Sequence, residues 1–141
     1  MSDYALELAG LEKVYNRGKP SEVAVLRGAT LEVKRGEVVA LVAPSGAGKS
    51  TLLHIAGLLD TPDQGSVALG GRNMVGLSDK ARTEARRAEV GFIYQFHHLL
   101  PEFSALENVV IPQLSNGIGA AAAEARAMDL LGRVGVAERA S

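Results

Sequence analysis

Residues 43–51 of the chain read Ala-Pro-Ser-Gly-Ala-Gly-Lys-Ser-Thr, and this stretch decides the fold that the sequence predicts. The apolar run EVVALV precedes it at residues 37–42, and the apolar run TLLHIAGLL occupies residues 51–59. The first run is typical of a strand that is buried on both faces of a largely parallel sheet. The second run has the length and composition of a buried helix. We therefore expect a strand, a tight turn and a helix in that order.

The glycines and the lysine of this turn, called here the phosphate loop (residues 43–51), favour the binding of phosphate. Gly46 and Gly48 lack a Cβ, so that backbone N–H groups can approach an anion closely. The helix that begins near Lys49 adds unpaired N–H groups and the positive end of its dipole. We expect Lys49 to contact β- and γ-phosphates, Ser50 to complete a Mg²⁺ shell and Thr51 to bond an α-phosphate. The residues predicted to bind the nucleotide are Ser45, Gly46, Ala47, Gly48, Lys49, Ser50 and Thr51.

One residue departs from the usual pattern of such a loop, which is G-x-x-x-x-G-K-[ST]. Ala43 stands where this pattern has its first glycine. Alanine keeps the backbone N–H and adds only a methyl group, so we expect the loop to survive unless the φ of Ala43 is positive. A glycine-rich turn that binds nothing is the alternative, and the flanking strand and helix argue against it.

The other segments alternate between strand and helix patterns, which predicts an α/β fold. Further strands are predicted over residues 4–9 with a continuation at 13–15, 23–33 with a break at Gly28, 65–69 as a hairpin arm, and 90–94 as a second buried strand. Helices are predicted over residues 79–89 with Ser78 as the N-cap, 107–114 and 120–134.

Composition limits the class of protein. A chain of 141 residues, 47% hydrophobic and 22% charged, fits one globular domain at most. Its 15 Lys and Arg against 16 Asp and Glu give a net charge of -1, which excludes a general attraction to nucleic acid. There is no cysteine, and the adjacent His97 and His98 point to opposite faces of a strand, so we expect no metal other than Mg²⁺. The absence of a long apolar run or a secretory leader favours a cytoplasmic location.

Two residues outside the phosphate loop lead to a family. Tyr15 lies upstream of the loop, and Gln95 directly follows the predicted strand 90–94. With APSGAGKSTLLHIAGLL, they resemble the nucleotide-binding subunit of ABC transporters from Leu6 to the last residue. The resemblance implies an ATPase in which Tyr15 stacks on adenine and Lys49 and Gln95 serve catalysis, with Ser50 and Gln95 as Mg²⁺ ligands. From the residues alone, Tyr15 could instead be a packed strand residue, and Gln95 could simply end the strand.

A further stretch, FHHLLPEFSALENV at residues 96–109, narrows the resemblance. It is similar to the lipoprotein-releasing (LolD-type) and macrolide-exporter branch of these ATPases. The branch implies contact with integral-membrane transporter subunits between Phe96 and Glu107, on the cytoplasmic face of the inner membrane. The family fold implied is α/β: a P-loop NTPase core with a mixed sheet, an antiparallel β subdomain and the start of a helical subdomain, with the division near residues 1–95 and 96–141.

The rest of the family pattern is not found in the sequence. Nothing in residues 107–141 reads as the LSGGQ signature or the Walker B strand, which leads us to expect an N-terminal part of a longer subunit. The full-length subunit would form a homodimer that sandwiches ATP, whereas this part alone would bind MgATP weakly without turnover. Three alternatives remain: a short nucleotide-binding module, the ATPase of another exporter or a cell-division complex, and a small nucleotide kinase. The lack of an arginine-rich lid argues against the kinase.

Overall fold

The computed structural model describes residues 2–141, which form two compact units. The first unit ends at Phe92, and the second is Ile93–Ser141. The first contains strands β1 (Tyr4–Tyr15), β2 (Val23–Lys34), β3 (Gln64–Leu69) and β4 (Arg72–Asn73), and helices α1 (Lys49–Ala56) and α2 (Asp79–Glu89). The second contains α3 (Ala105–Ser115), α4 (Ala120–Arg133) and a short 3-10 helix, Ala137–Arg139. Among residues 2–141, no helix combines the length and apolar character needed to cross a bilayer.

The sheet of the first unit is antiparallel and has the order β2-β1-β3-β4. β1 runs unbroken through Gly10, where we expected a turn between two pieces. Gly10 has a φ of 58°, and the register with β2 shifts between Leu8 and Leu11, which is how a bulge absorbs an irregular residue. The break predicted in β2 is also absent, although Gly28 has a φ of 89°. The β3–β4 hairpin forms where the sequence predicted it.

The core of the first unit lies between the sheet and the helices. Leu8, Leu11 and Val67 of the sheet are buried together with Leu52 and Ile55 of α1. The expectation that this helical stretch is buried all round is wrong, because Leu53 is 57% exposed and Leu59 is also exposed. One face of α1 packs against the sheet, and Leu53 on the other face remains largely exposed.

The two strands predicted to be buried on both faces do not form. Residues 37–42 and 90–94 have no strand assignment, and Val38 and Val42 are 97% and 88% exposed. Ile93 and Tyr94 are exposed as well. A buried parallel strand requires parallel partners beside it and helices over both faces. Among residues 2–141 the sheet has antiparallel pairs only, so these apolar runs lack the partners that their composition anticipates.

The predicted helices are confirmed, with small changes at their ends. α2 has the expected bounds, and the Ser78 Oγ accepts a hydrogen bond from the Ala81 N–H at 3.3 Å. α3 extends beyond the predicted 107–114 in both directions. α4 ends one residue before the prediction, and the alanine-rich start belongs to it. Ala123, Ala127 and Leu131 recur every four residues on its buried face, as expected of an amphipathic helix.

Candidate phosphate-binding site

The phosphate loop turns into α1 through glycines with left-handed backbone. Gly46 has a φ of 78°, and Gly48, the N-cap of α1, has a φ of 87°. A Cβ on Gly48 would lie 2.8 Å from Val25 Cγ1 and 2.9 Å from the Val25 carbonyl oxygen, so that only glycine fits there. Ala43 is not among the residues with positive φ, so its methyl group meets the condition for tolerance that we set from the sequence.

The first turn of α1 lacks the side-chain cap that the neighbouring α2 has. Gly48 offers no side chain to bond the free N–H groups, whereas Ser78 caps α2. No acidic residue lies in this first turn. The N–H groups and the positive end of the helix dipole are therefore available to an anion.

A cavity of about 400 Å³ opens at this helix end. It is lined by Val25, Ser45, Gly46, Gly48, Lys49, Ser50 and Thr51. The structure thus brings together the predicted nucleotide-binding residues of the loop, apart from Ala47. The Ala47 N–H instead donates to the carbonyl of Pro44 at 3.3 Å, which closes the turn from within.

Lys49 supplies the positive charge of the cavity. Its Nζ donates to the carbonyl oxygens of Ala43 at 2.6 Å and Pro44 at 2.7 Å. Among the described residues that line the cavity, the other members are uncharged, so its potential is positive. The Ser50 and Thr51 hydroxyl groups belong to the same wall and are oxygen ligands of the kind that Mg²⁺ and phosphate accept. These groups fit a nucleoside triphosphate with its Mg²⁺.

Tyr15 is the last residue of β1 and does not line the cavity. It pairs with Val23 of β2, two residues before Val25, which lines the cavity. The side chain is 37% exposed, and its hydroxyl donates to Asp60 Oδ2 at 3.1 Å.

Sequence reasoning missed two residues that contact Tyr15 or its neighbours, Asp60 and Lys13. The sequence gives Asp60 no predicted role, yet its Oδ1 accepts a hydrogen bond from Lys13 Nζ at 2.9 Å. Partial burial raises the pKa of Asp60, but hydrogen bonds from Lys13, the Thr61 N–H and Tyr15 outweigh it, so the pKa lies below its ordinary value. The one local signal was the spacing of Lys13 and Tyr15, which places both on one face of a strand.

Comparison with known proteins identifies the family. The sequence profile of the family described as ABC transporter matches residues 26–141, well over half of the chain. The chain belongs to the ABC transporter family. The resemblance inferred from the motifs is therefore confirmed.

Relatives of this ABC chain carry names from one system. It is 76% identical over 134 residues to the lipoprotein-releasing system ATP-binding protein LolD of Cereibacter sphaeroides, covering 95% of this chain and 60% of that protein. It is 63% identical to the LolD protein of Jannaschia sp., covering 100% of this chain and 62% of the relative. The chain thus spans about three fifths of the length of these relatives.

Solved ABC cassettes share its fold. A dimeric post-hydrolysis structure of the ATP-binding cassette MJ0796, bound to ADP and Pi, superposes with a TM-score of 0.82 at 34% identity, covering 90% of this chain and 56% of that one. The cbiO1 structure from Clostridium perfringens superposes with a TM-score of 0.79 at 25% identity, covering 99% and 54%. The predicted α/β fold class of an ABC ATPase is confirmed.

The second unit of the ABC chain contains the remaining predicted site residue, Gln95. It is exposed and lies in a bend that follows Tyr94. The ring of His98 packs edge-on against Tyr94, with centroids 4.8 Å apart and an interplanar angle of 77°. Within residues 2–141, no group of three His, Cys, Asp or Glu side chains could hold a metal ion.

A larger cavity, of about 660 Å³, also lies in the second unit, where α3 and α4 meet the final residues. Three carboxylates line it, from Glu107, Glu124 and Glu138. Negative side chains repel phosphate, so this larger cavity is a poor nucleotide site and the smaller one at α1 is the candidate.

Proposed function

We propose that this chain carries the MgATP-binding site of the ATP-hydrolysing subunit of an ABC exporter. The observation that carries the proposal is the uncapped N-terminus of α1, which opens into a cavity whose charged group is Lys49. Such a helix end, with glycines that admit close approach of the backbone, suits the phosphates of a nucleotide. The membership of the ABC transporter family supports ATP as that nucleotide.

Each predicted residue has a distinct part in this proposal. Lys49 exchanges its bonds to the Ala43 and Pro44 carbonyls for phosphate oxygens, and Tyr15 stacks on the adenine. Ser50 and Gln95 are the proposed ligands of Mg²⁺, which offsets phosphate charge when bound. Ser45, Gly46, Ala47, Gly48 and Thr51 complete the binding set.

We further propose that the complete subunit serves lipoprotein release from the inner membrane. The names of the relatives at 76% and 63% identity support this choice over another exporter or a cell-division complex. Between Phe96 and Glu107 the second unit exposes Phe96, Leu99, Leu100 and Phe103, an apolar surface suited to transporter subunits in the membrane. The dimeric MJ0796 cassette supports a homodimer of the complete subunit. The proposed contact with integral-membrane subunits implies a peripheral position on the cytoplasmic face of the inner membrane.

Binding without hydrolysis is the second candidate for the 141-residue chain itself. Hydrolysis requires a group that positions or deprotonates the attacking water. Among the described residues that line the cavity, no carboxylate or histidine is present for that task. We therefore assign hydrolysis to the complete gene product and binding alone to this chain.

Calorimetric titration of MgATP tests the binding proposal. Lys49→Ala should weaken binding by about tenfold to a hundredfold, because a hydrogen bond to a charged group contributes about 1.5–3 kcal/mol. Lys34→Ala, at the exposed end of β2, is the matched control and should leave the affinity unchanged. Equal affinities for wild type and Lys49→Ala would refute the site. Phosphate release by the 141-residue chain that disappears in Lys49→Ala would refute the assignment of hydrolysis.

A further inference from the structure

The turn after α1 is bonded to the end of β1 through three side chains, Lys13, Tyr15 and Asp60, called here the Asp60 clamp. Both carboxylate oxygens of Asp60 are occupied. Oδ2 accepts the Tyr15 hydroxyl at 3.1 Å, and Oδ1 accepts Lys13 Nζ at 2.9 Å and the Thr61 N–H at 2.7 Å. Lys13 Nζ also donates to the Thr61 carbonyl at 2.7 Å. The hydroxyl of Tyr15 is therefore held by an acceptor that is itself held in place.

Asp60 is fixed to α1 by the backbone of the turn. The N–H groups of Leu59 and Asp60 donate to the His54 carbonyl at 2.8 and 3.3 Å, and the Leu58 N–H donates to Ile55 at 3.0 Å. The phosphate loop lies at the other end of the same helix. With 8 residues and a rise of about 1.5 Å per residue, α1 separates the two by roughly 12 Å. One rigid element thus carries both the phosphate loop and the anchor of the Tyr15 ring.

The clamp also determines which face of the Tyr15 ring a base can use. Lys13 Nζ lies over the ring, 5.3 Å from its centroid, so one face carries a cation. A base that stacks on Tyr15 must take the opposite face. A tyrosine that is 37% exposed at a strand end could otherwise turn among its rotamers, and the hydroxyl bond removes that freedom before the ligand arrives.

We propose that Asp60 is a positioning residue for the nucleotide base, which it orients through the hydroxyl of Tyr15. The proposal rests on the proposed function of Tyr15 as the adenine platform. The proposal requires the hydroxyl of Tyr15, which stacking alone does not require. A phenylalanine ring stacks as well as a tyrosine ring, but it has no hydroxyl to bond to Asp60.

The test is titration of two ligands, MgATP and magnesium tripolyphosphate, into the complete gene product and its variants. Tripolyphosphate has no base, so it reports on the phosphate loop alone. Tyr15→Phe and Asp60→Ala should each weaken MgATP by about fivefold and leave tripolyphosphate unchanged, because only the ordering of the ring is lost. The double variant should be no weaker than the single variants, because both remove the same bond.

Asp63→Asn is the matched control. Asp63 lies in the same turn, and its Oδ2 accepts the Val14 N–H at 2.7 Å and an Arg17 N–H at 3.4 Å, whereas the Tyr15 hydroxyl donates to Asp60. This variant should keep the wild-type ratio of the two affinities. If Tyr15→Phe binds MgATP like wild type, or if the two losses add fully, the proposal is overturned. If Tyr15→Ala also leaves the ratio unchanged, the base platform itself is wrong, and if wild type binds neither ligand, the proposed function fails.

Discussion

Gly48 is the residue on which the geometry of the phosphate loop depends most. It combines a φ of 87° with the side chain and carbonyl of Val25 within 3 Å of where a Cβ would lie. Gly46 has a similar φ of 78°, but a Cβ there would meet nothing within 4 Å. Substitution of Gly46 therefore measures the cost of a left-handed backbone alone, whereas substitution of Gly48 adds the cost of a steric clash.

We predict that Gly46→Ala lowers the free energy of unfolding by about 1–2 kcal/mol, the cost of a left-handed alanine. Gly48→Ala should lower it by at least about 1 kcal/mol more, because the Val25 carbonyl is backbone and cannot move aside cheaply. Urea unfolding of both variants in the complete gene product measures the difference. Equal losses would show that Val25 makes room and that the contact does not constrain the loop.

At the scale of an element, α3 shows how a local motif determines where a helix begins. The Glu107 N–H donates to Ser104 Oγ at 3.2 Å, and the Ser104 N–H donates to Glu107 Oε2 at 2.8 Å, which forms a capping box. The bond from the Ser104 backbone, helped by its side chain, holds the pKa of Glu107 below its ordinary value. Beside the box, the Asn108 side chain donates to the carbonyls of Leu100 and Phe103 at 3.0 Å each, and these bonds tie the apolar stretch before the helix to α3.

We predict that Ser104→Ala destabilises the complete gene product by about 1 kcal/mol, the usual cost of a lost N-cap. Ser104→Thr keeps a hydroxyl acceptor at the same position and should lose much less. Chemical unfolding followed by helical circular dichroism compares the two variants. Similar losses for alanine and threonine would mean that the bond to the Glu107 N–H does not stabilise α3.

At the scale of the whole molecule, the apolar run at residues 37–42 is exposed to solvent although its composition favours burial. Its valines are exposed, although their composition is that of a strand buried on both faces. Exposed runs of this kind promote association between chains. The relatives are longer than this chain, and we propose that the run finds its partner strands in a chain of their length.

We predict opposite effects of Val38→Lys with Val42→Lys in the two lengths of protein. In the 141-residue chain the lysines should reduce self-association, measured by sedimentation velocity, because both positions face solvent. In the complete gene product they should lower the free energy of unfolding by about 2 kcal/mol or more, because each would place a charge in a buried strand. Gln64→Lys with Ser66→Lys, at exposed positions of β3, adds the same two charges and is the control for added charge. A complete gene product that tolerates the valine substitutions would contradict burial of this run.

Features whose interactions lie within a few residues of one another could be predicted from the amino-acid sequence alone. The phosphate loop, the Ser78 cap of α2 and the β3–β4 hairpin follow from glycine geometry, a hydroxyl before a helix and turn residues. The family also followed from local motifs, because the residues of the phosphate loop are adjacent in the chain. The continuity of β1 through Gly10 was harder to predict from the sequence, since whether Gly10 forms a turn or a bulge depends on the pairing with neighbouring strands.

Tertiary structure decided what depends on residues far apart in the chain. The hydrogen bond from Tyr15 to Asp60 joins residues 45 positions apart, and the hydrophobic periodicity of the sequence does not predict such a contact. The exposure of residues 37–42 also depends on other segments. The hydrophobicity of this run indicates that it prefers to be buried, but it does not show whether other strands and helices pack against it. A local pattern specifies the backbone geometry that a segment prefers. Its hydrogen-bond partners and the surfaces that bury it belong to other segments, which only the folded chain brings together.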